Sequence, residues 1–383
     1  MRRGLLFASA IEAFFLLILL GYGPLYVHER LHAGYFVSSQ AAAVPALVTF
    51  LGSILWGQLT HRMGLRILAM VGLCGYLVSG LTIFMVRDPI QYIVGVSVAT
   101  VFSTALAPAT LAFLTQAGGD MGRRLATRLQ WQSSGWMTGG LLGGYIFGLA
   151  THSYEDLMLA LAAMMGMALI LVAREPKMTR GPATREQTLP QGTSGHRTLI
   201  FLLVLPFFLA YAGNEGFFTN FGVFLRVLKI PVGWVGWSAA ISTGLGWILA
   251  SKIGRWSDHW GGKNLLIRVL AIYVMMYVVM SIVPYTWIVV GAFSLPLYPF
   301  LNLGVQRAVA ESIPGEAHGA AMGIINGASG LATFLGGVLI GGVEARVGPH
   351  FMPWTAATLV AMGLAVATGV YGKHPMIAPG QVE

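Results

Sequence analysis

The sequence is short of charge. Asp, Glu, Lys and Arg make up 10% of its 383 residues, against about 25% in a soluble domain. That shortage excludes an ordinary water-exposed surface. Cysteine is nearly missing too. Cys74 stands alone inside an apolar run, so no intrachain disulfide can form and core packing is its expected role. No Walker phosphate loop, haem motif or serine-nucleophile elbow occurs, which disfavours ATP-driven pumping and the common hydrolytic chemistries. Nor is there the alternation of outer-membrane strands.

Apolar residues are abundant. They account for 56% of the chain and cluster in runs of about 20, the length a helix needs to cross the hydrocarbon core. Helices satisfy their own backbone groups in lipid, whereas open strands cannot. The expected fold class is therefore all-α and membrane-embedded. After Met1-Arg2-Arg3 the first run continues to about Tyr26. That is too long for a signal-peptide core, and no convincing cleavage site follows, so it reads as an uncleaved first helix.

Twelve spans are expected, near 4–26, 37–57, 66–86, 90–115, 129–150, 156–173, 198–224, 232–252, 265–283, 286–308, 320–342 and 353–372. The longest polar stretch, 174–197, contains Pro176, Pro182 and Pro190 with several Gly, Ser and Thr residues, the composition of a flexible linker. Six spans lie on each side. The expected organisation is an N-terminal six-helix bundle over 1–173, a cytoplasmic linker over 174–197 and a C-terminal six-helix bundle over 198–383.

The formal net charge of +9 belongs to the loops. With the N-terminus inside, eighteen Lys and Arg residues fall on the cytoplasmic side. Five, namely Arg30, Arg87, Arg226, Lys229 and Arg346, fall outside. The positive-inside rule favours this orientation, with both termini cytoplasmic. It also removes nucleic acid as a partner, because no basic reading module is present.

A loop pattern occurs twice. Residues 57–66 read GQLTHRMGLR and residues 254–263 read GRWSDHWGGK; their first glycines are 197 residues apart (254 − 57), about half the chain. A signature repeated at half-length points to two homologous membrane halves and so to a transporter. The loops resemble the Gly-x-x-x-Asp-Arg/Lys-x-Gly-x-Lys/Arg signature of the major facilitator superfamily. The second copy matches through Gly254, Asp258, His259, Gly261 and Lys263, and the first through Gly57, Arg62, Gly64 and Arg66. The first departs at His61, where the family usually carries aspartate. In the family this loop locks one conformation by charge contacts at the inner face. The resemblance therefore makes these residues a conformational latch. His61 either makes the latch pH-sensitive, since an unperturbed histidine titrates near ~6.5, or is a solvated loop residue.

A second likeness lies in span five. Gly135, Gly139, Gly140, Gly143 and Gly144 follow the family's Gly-x-x-x-Gly-Pro-x-x-Gly-Gly motif, with Gly140 in place of proline. That motif is associated with exporters, and its glycines permit close helix contact and bending. Span eleven has a similar run over 336–342. Against export, span four lacks the arginine common in the family's drug exporters, so efflux and uptake of a sugar, nucleoside or carboxylate both stay open. The resemblance covers essentially the whole chain. It implies two pseudo-symmetric six-helix bundles around a central cavity, rocker-switch alternating access and a monomer in the bacterial inner membrane.

Charged groups inside the bilayer cost about 2.5–3.5 kcal/mol at a helix centre on insertion scales. Glu12 in span one and Glu215 in span seven are nonetheless there. The family resemblance makes these spans cavity-lining, so both carboxyls are candidates for moving protons. Glu215 is the stronger, beside Asn214 and between two glycines. The 197-residue offset carries Glu12 onto Leu209, so the two are not a duplicated site. Packing or a snorkelling position near the inner face is the alternative for Glu12. Asn220, Asn302, Gln306, Asn326, Gln130 and Gln132 are further candidate lining residues. Tyr22, Tyr26, Trp234, Trp237 and Trp247 could stack on substrate, although Trp234 and Trp237 fall where interfacial aromatic belts form. Pro296 and Pro299 are expected to bend span ten.

His28-Glu29-Arg30-Leu31-His32 is a literal His-Glu-x-x-His sequence, which on a helix places two imidazoles on one face for zinc. No third ligand is indicated, so a zinc membrane protease is the remote alternative and no metal or cofactor is expected. The expected function is proton-coupled secondary transport of a small organic solute, with uncoupled uniport of a sugar- or nucleoside-like solute as the alternative and no enzymatic activity.

Overall fold

The computed structural model describes residues 3–59, 63–116, 121–149, 154–174, 194–312 and 318–373. Its elements are α1 (Arg3–Glu29), α2 (Tyr35–Leu59), α3 (Leu65–Met85), α4 (Pro89–Ser103), α5 (Leu106–Gln116), α6 (Met121–Leu149) and α7 (Tyr154–Arg174). The second set is α8 (Ser194–Val227), α9 (Trp234–Ile282), α10 (Thr286–Phe293), α11 (Leu297–Ala310), α12 (His318–Val347), a 3-10 turn (Pro349–Phe351) and α13 (Met352–Lys373). Among the described residues there is no strand.

Among the described residues, ten helical segments are long and apolar enough to cross a membrane. Two further segments are too polar or glycine-rich for that measure: α6 and the first part of α9. They pack against each other and complete twelve spans. Span four is divided into α4 and α5. Pro108, in the first turn of α5, has no N–H for the carbonyl four residues earlier, so the ladder stops at Thr104. Span ten is divided in the same way, with Pro296 capping α11 and Pro299 in its first turn.

The second copy of the loop signature is not the irregular loop expected from its composition. The helix of span eight continues through Trp260, turns at Gly261 (φ 72°, ψ 160°) and becomes span nine. Only that one residue leaves helical geometry, and only glycine adopts a positive φ there without strain.

The 197-residue offset of the two signatures runs through the whole fold. α4 begins at 89 and α10 at 286; α6 begins at 121 and α12 at 318. Residues 65–85 of α3 map onto 262–282, where α9 ends. The chain is thus two pseudo-symmetric six-span bundles.

Cys74 is exposed, which corrects the expectation that it packs in the core. In a membrane helix an apolar position can face lipid as well as protein, and residue type does not separate the two.

Candidate transport site

The halves meet along two related seams. On α6, Gly135, Gly139 and Gly143 are spaced four apart on one face and lie against Ala10, Phe14 and Ile18 of α1. Gly140 and Gly144 turn to α9 instead. A Cβ on Gly140 would stand 2.5 Å from the Gly236 carbonyl oxygen, and one on Gly144 2.8 Å from that of Gly233. The five motif glycines therefore serve two interfaces, one within a half and one between halves.

The α2–α12 seam repeats this arrangement. Gly337 is the counterpart of Gly140 and Ser39 of Gly236 (337 − 140 and 236 − 39 both equal 197). Ser39 Oγ donates to the Gly337 carbonyl oxygen at 2.5 Å, and Asn220 Nδ2 donates to Ser39 Oγ at 3.3 Å. On the other seam the Gly236 N–H donates to the Tyr22 hydroxyl at 2.9 Å. Tyr22 is fully buried and stacked on Phe147, centroids 4.0 Å apart. Tyr22 and Asn220 are therefore committed to the seams.

These contacts lie toward the end of the bundle opposite the signature loops. There Arg226 grips Glu29 through Nε to Oε1 and through Nη2 to Oε2 at 2.9 Å. The two residues are also 197 apart, so the pair joins equivalent ends of α1 and α8 across the pseudo-twofold axis. Tyr26 donates to Glu155 at 2.6 Å, and Arg30 lies 3.8 Å from the same carboxylate, tying α1 to α7. The His-Glu-x-x-His sequence is dismantled by this arrangement. α1 ends at Glu29, His28 Nδ1 donates to the Ala33 carbonyl at 2.8 Å, and His32 sits outside the helix with φ 54°. The two imidazoles do not share a helical face. Among the described residues no group of three or more His, Cys, Asp or Glu could hold a metal ion.

Each half holds a carboxylate on its first helix. Glu12 is buried; Tyr76 donates to its Oε1 at 3.2 Å while its Oε2 has no protein partner. The Arg128 guanidinium acts on it electrostatically. Glu215, on α8, is half-buried. Asn214 Nδ2 donates to it at 3.4 Å, and Asn214 Oδ1 accepts from the Tyr277 hydroxyl at 3.0 Å. Tyr211, Tyr273 and Tyr298 lie within electrostatic reach of this carboxylate. Tyr273 is the counterpart of Tyr76 (273 − 76 = 197), so each half sets a third-span tyrosine beside a first-span carboxylate. The asymmetry lies in burial: Glu12 is 5% exposed and Glu215 half-buried. Among the described residues no basic side chain forms an ion pair with Glu215.

The other candidates are scattered. Asn302 is half-buried beside Tyr298, and Gln306 and Gln130 are exposed. Asn326 belongs to α12 and Gly254 and Asp258 to α9, but their side-chain surroundings lie outside the described residues. His61 and Arg62 lie outside the described residues altogether. Gly57 ends a turn of α2, Gly64 caps α3 in an extended conformation and Arg66 is half-buried. Lys263 is buried.

Four acidic or basic features went unforeseen. Glu311 caps the α9 kink: its carboxylate accepts the Gly262 N–H at 3.0 Å and Arg307 Nε at 2.7 Å. Glu344, near the end of α12, is 1% exposed with no partner for either oxygen; it falls just past the run read as span eleven. The Glu29–Arg226 pair was hidden by the zinc-like reading of its neighbours. Arg128, counted to the cytoplasmic flank, also acts electrostatically on Glu12.

The Major Facilitator Superfamily model matches residues 5–337. The chain belongs to that superfamily and is an integral membrane transporter of small solutes. Among solved structures, it is similar to a mutant form of the nucleoside transporter NupG at 14% identity and a TM-score of 0.75, over 97% of this chain and 99% of that one. A mutant form of a peptide transporter POT matches at 12% identity and 0.76, over 96% and 93%. A bacterial homologue of the human lysosomal transporter Spinster, in an inward-facing unoccupied conformation, matches at 12% and 0.71, over 96% and 93%. No curated protein matches the sequence. At these identities the structural likeness carries the fold alone.

Proposed function

We propose that the protein is a proton-coupled secondary transporter of a small organic solute, working by alternating access between the 1–173 and 198–383 bundles, with 174–197 as linker. Its setting is the bacterial inner membrane, with both termini cytoplasmic and the chain acting as a monomer. The observation that carries this reading is Glu215, a half-buried carboxylate on a cavity-type helix with no basic partner among the described residues. A carboxylate so placed can exchange a proton as its surroundings open to one side and then the other. Glu12, buried and hydrogen-bonded by Tyr76, is the secondary proton site. NupG and POT transport nucleosides and peptides, which supports a solute of that size range. The loop signatures act as the latch at the cytoplasmic end. On this reading the seams around Tyr22, Ser39 and Gly236 close the outer end.

The test is accumulation in proteoliposomes under an imposed pH gradient, with labelled nucleosides, dipeptides, sugars, carboxylates and amines. Gradient-dependent accumulation that an uncoupler collapses is the expected result. Equal uptake with and without the gradient would replace coupling by uniport.

The Glu29–Arg226 pair yields a second prediction. A partly exposed ion pair contributes roughly 0.2–1 kcal/mol, so its loss shifts a two-state equilibrium by up to about fivefold. Glu29→Gln is expected to raise outer-side thiol labelling of a cysteine placed at Tyr22 by a few-fold. The swap Glu29→Arg with Arg226→Glu should restore the original labelling. Unchanged labelling in Glu29→Gln would remove the pair from the outer gate.

A further inference from the structure

We infer that Glu215 and the tyrosines around it form a docking site for an organic ammonium group, making the transported solute a monovalent organic cation. The inference rests on the proposed transport reading and adds the substrate class to it. Three observations lead there. Glu215 is half-buried and, among the described residues, has a single weak amide contact and no basic partner. Its negative charge is therefore left for something that enters the cavity.

Next, the surroundings of the carboxylate are aromatic. Tyr211, from α8 itself one turn before Glu215, and Tyr298, from α11, keep accessible ring surface and stand 6.1 Å apart at 53°. Tyr273 and Tyr277 of α9, 6.2 Å apart at 16°, and Phe207, 5.2 Å from Tyr211, are packed in the core behind this pair.

The third observation concerns the phenol oxygens. Tyr277 spends its hydroxyl on Asn214, while Tyr298 stands within hydrogen-bonding reach of Tyr211 and Asn302. A small inorganic cation such as sodium needs a full shell of oxygen ligands, whereas here one carboxylate is set among aromatic rings. An alkylated ammonium is weakly hydrated and is attracted both by a carboxylate and by ring quadrupoles. Tyr298 is 41% exposed, so its ring is accessible from outside the packed core.

The N-terminal half supplies the internal contrast. Its first-helix carboxylate, Glu12, is only 5% exposed and accepts from Tyr76, so one carboxylate is enclosed and the other is accessible. The titratable groups facing Glu215 are tyrosines from α8, α9 and α11. A proton and an ammonium group then compete for one carboxylate, which makes export of the cation against proton entry the natural exchange.

The experiment is equilibrium binding to the full-length protein, reconstituted in nanodiscs, of choline, tetraethylammonium and phenethylammonium. The uncharged 3,3-dimethylbutanol and phenethyl alcohol serve as shape controls. At least one cation is expected to bind at least about tenfold more tightly than its neutral counterpart. Glu215→Gln should remove most of that preference, and Tyr298→Leu should weaken cation binding several-fold while Tyr298→Phe keeps it. Thermal unfolding of each variant separates loss of binding from loss of fold. Acidification should weaken the cations and leave the neutral probes unchanged. Binding of neutral probes alone, no binding of any probe, or displacement by sodium at millimolar concentration would each overturn the inference. If Glu215→Gln still abolishes gradient-driven accumulation of a neutral solute, the proton-coupling reading survives without the cation site. If it changes neither measurement, both fall.

Discussion

Glu215→Gln is expected to abolish proton-driven accumulation while still allowing exchange once solute is raised high enough to saturate any weakened site. Glutamine keeps the size of the side chain and can still meet Asn214, but it cannot carry a proton. One pH unit is worth about 1.36 kcal/mol per proton, which supports about tenfold accumulation for one coupled proton. In the variant the ratio of internal to external solute should fall to about one under the same gradient. Counterflow at saturating solute, in which labelled solute enters as unlabelled solute leaves, needs no net proton movement and should persist. Glu12→Gln is the comparison. With that carboxylate enclosed and already accepting from Tyr76, its loss should lower the rate more than the accumulation ratio. Full accumulation in Glu215→Gln would transfer the coupling role to another group.

Gly236→Val is the second large effect. A Cβ at residue 236 collides with the Gly140 carbonyl and would stand 2.6 Å from the Gly144 nitrogen and 2.7 Å from the Tyr22 hydroxyl. Two of these neighbours are backbone and cannot swing aside, so the α6–α9 seam cannot close as it does here. Seam closure is one of the two states of the proposed alternating-access cycle. Transport should fall more than about tenfold, since opening a packed interface by even ~1.4 kcal/mol changes a population by that factor. Outer-side labelling of the Tyr22 position should rise at the same time. The collision is between the halves, so each bundle still folds and thermal unfolding should change little. By contrast, Gly336→Val meets the Ala212 carbonyl inside one half and is expected to lower stability outright. Normal transport by Gly236→Val would show that the seam does not need this close approach.

Much of the architecture was legible because the chain repeats itself. One pair of loops fixed the offset of 197, and helix starts at 89 and 286, and at 121 and 318, obey it. Runs of about 20 apolar residues located the spans, and Pro296 and Pro299 marked the break in span ten. Pro108 carried the same signal for span four, but a proline so close to the expected end of a span reads as a boundary.

The site was legible only in part. Glu215 stood out because a charge in an apolar run is costly, while its tyrosines did not, since an aromatic in a membrane helix can face lipid, seam or cavity. Glu344 escaped for the opposite reason: at the end of a run an acidic residue looks solvated, and only packing shows it buried. The long α9 was hidden by composition, because polar residues and glycines ordinarily signal a loop. Here the helix tolerates them and turns only at Gly261. The glycine motif announced close contacts, but its division between α1 and α9 follows from the helical phase of each glycine and needs both neighbours in place.

The central claim is that solute movement is tied to proton movement through Glu215. Its most direct test records internal pH and labelled solute together in proteoliposomes of the purified protein, with Glu215→Gln alongside. The account predicts a solute-dependent pH change in the native protein that is absent from the variant. Solute uptake with no accompanying pH change in the native protein would contradict it, and would return Glu215 to a role in structure or solute binding alone.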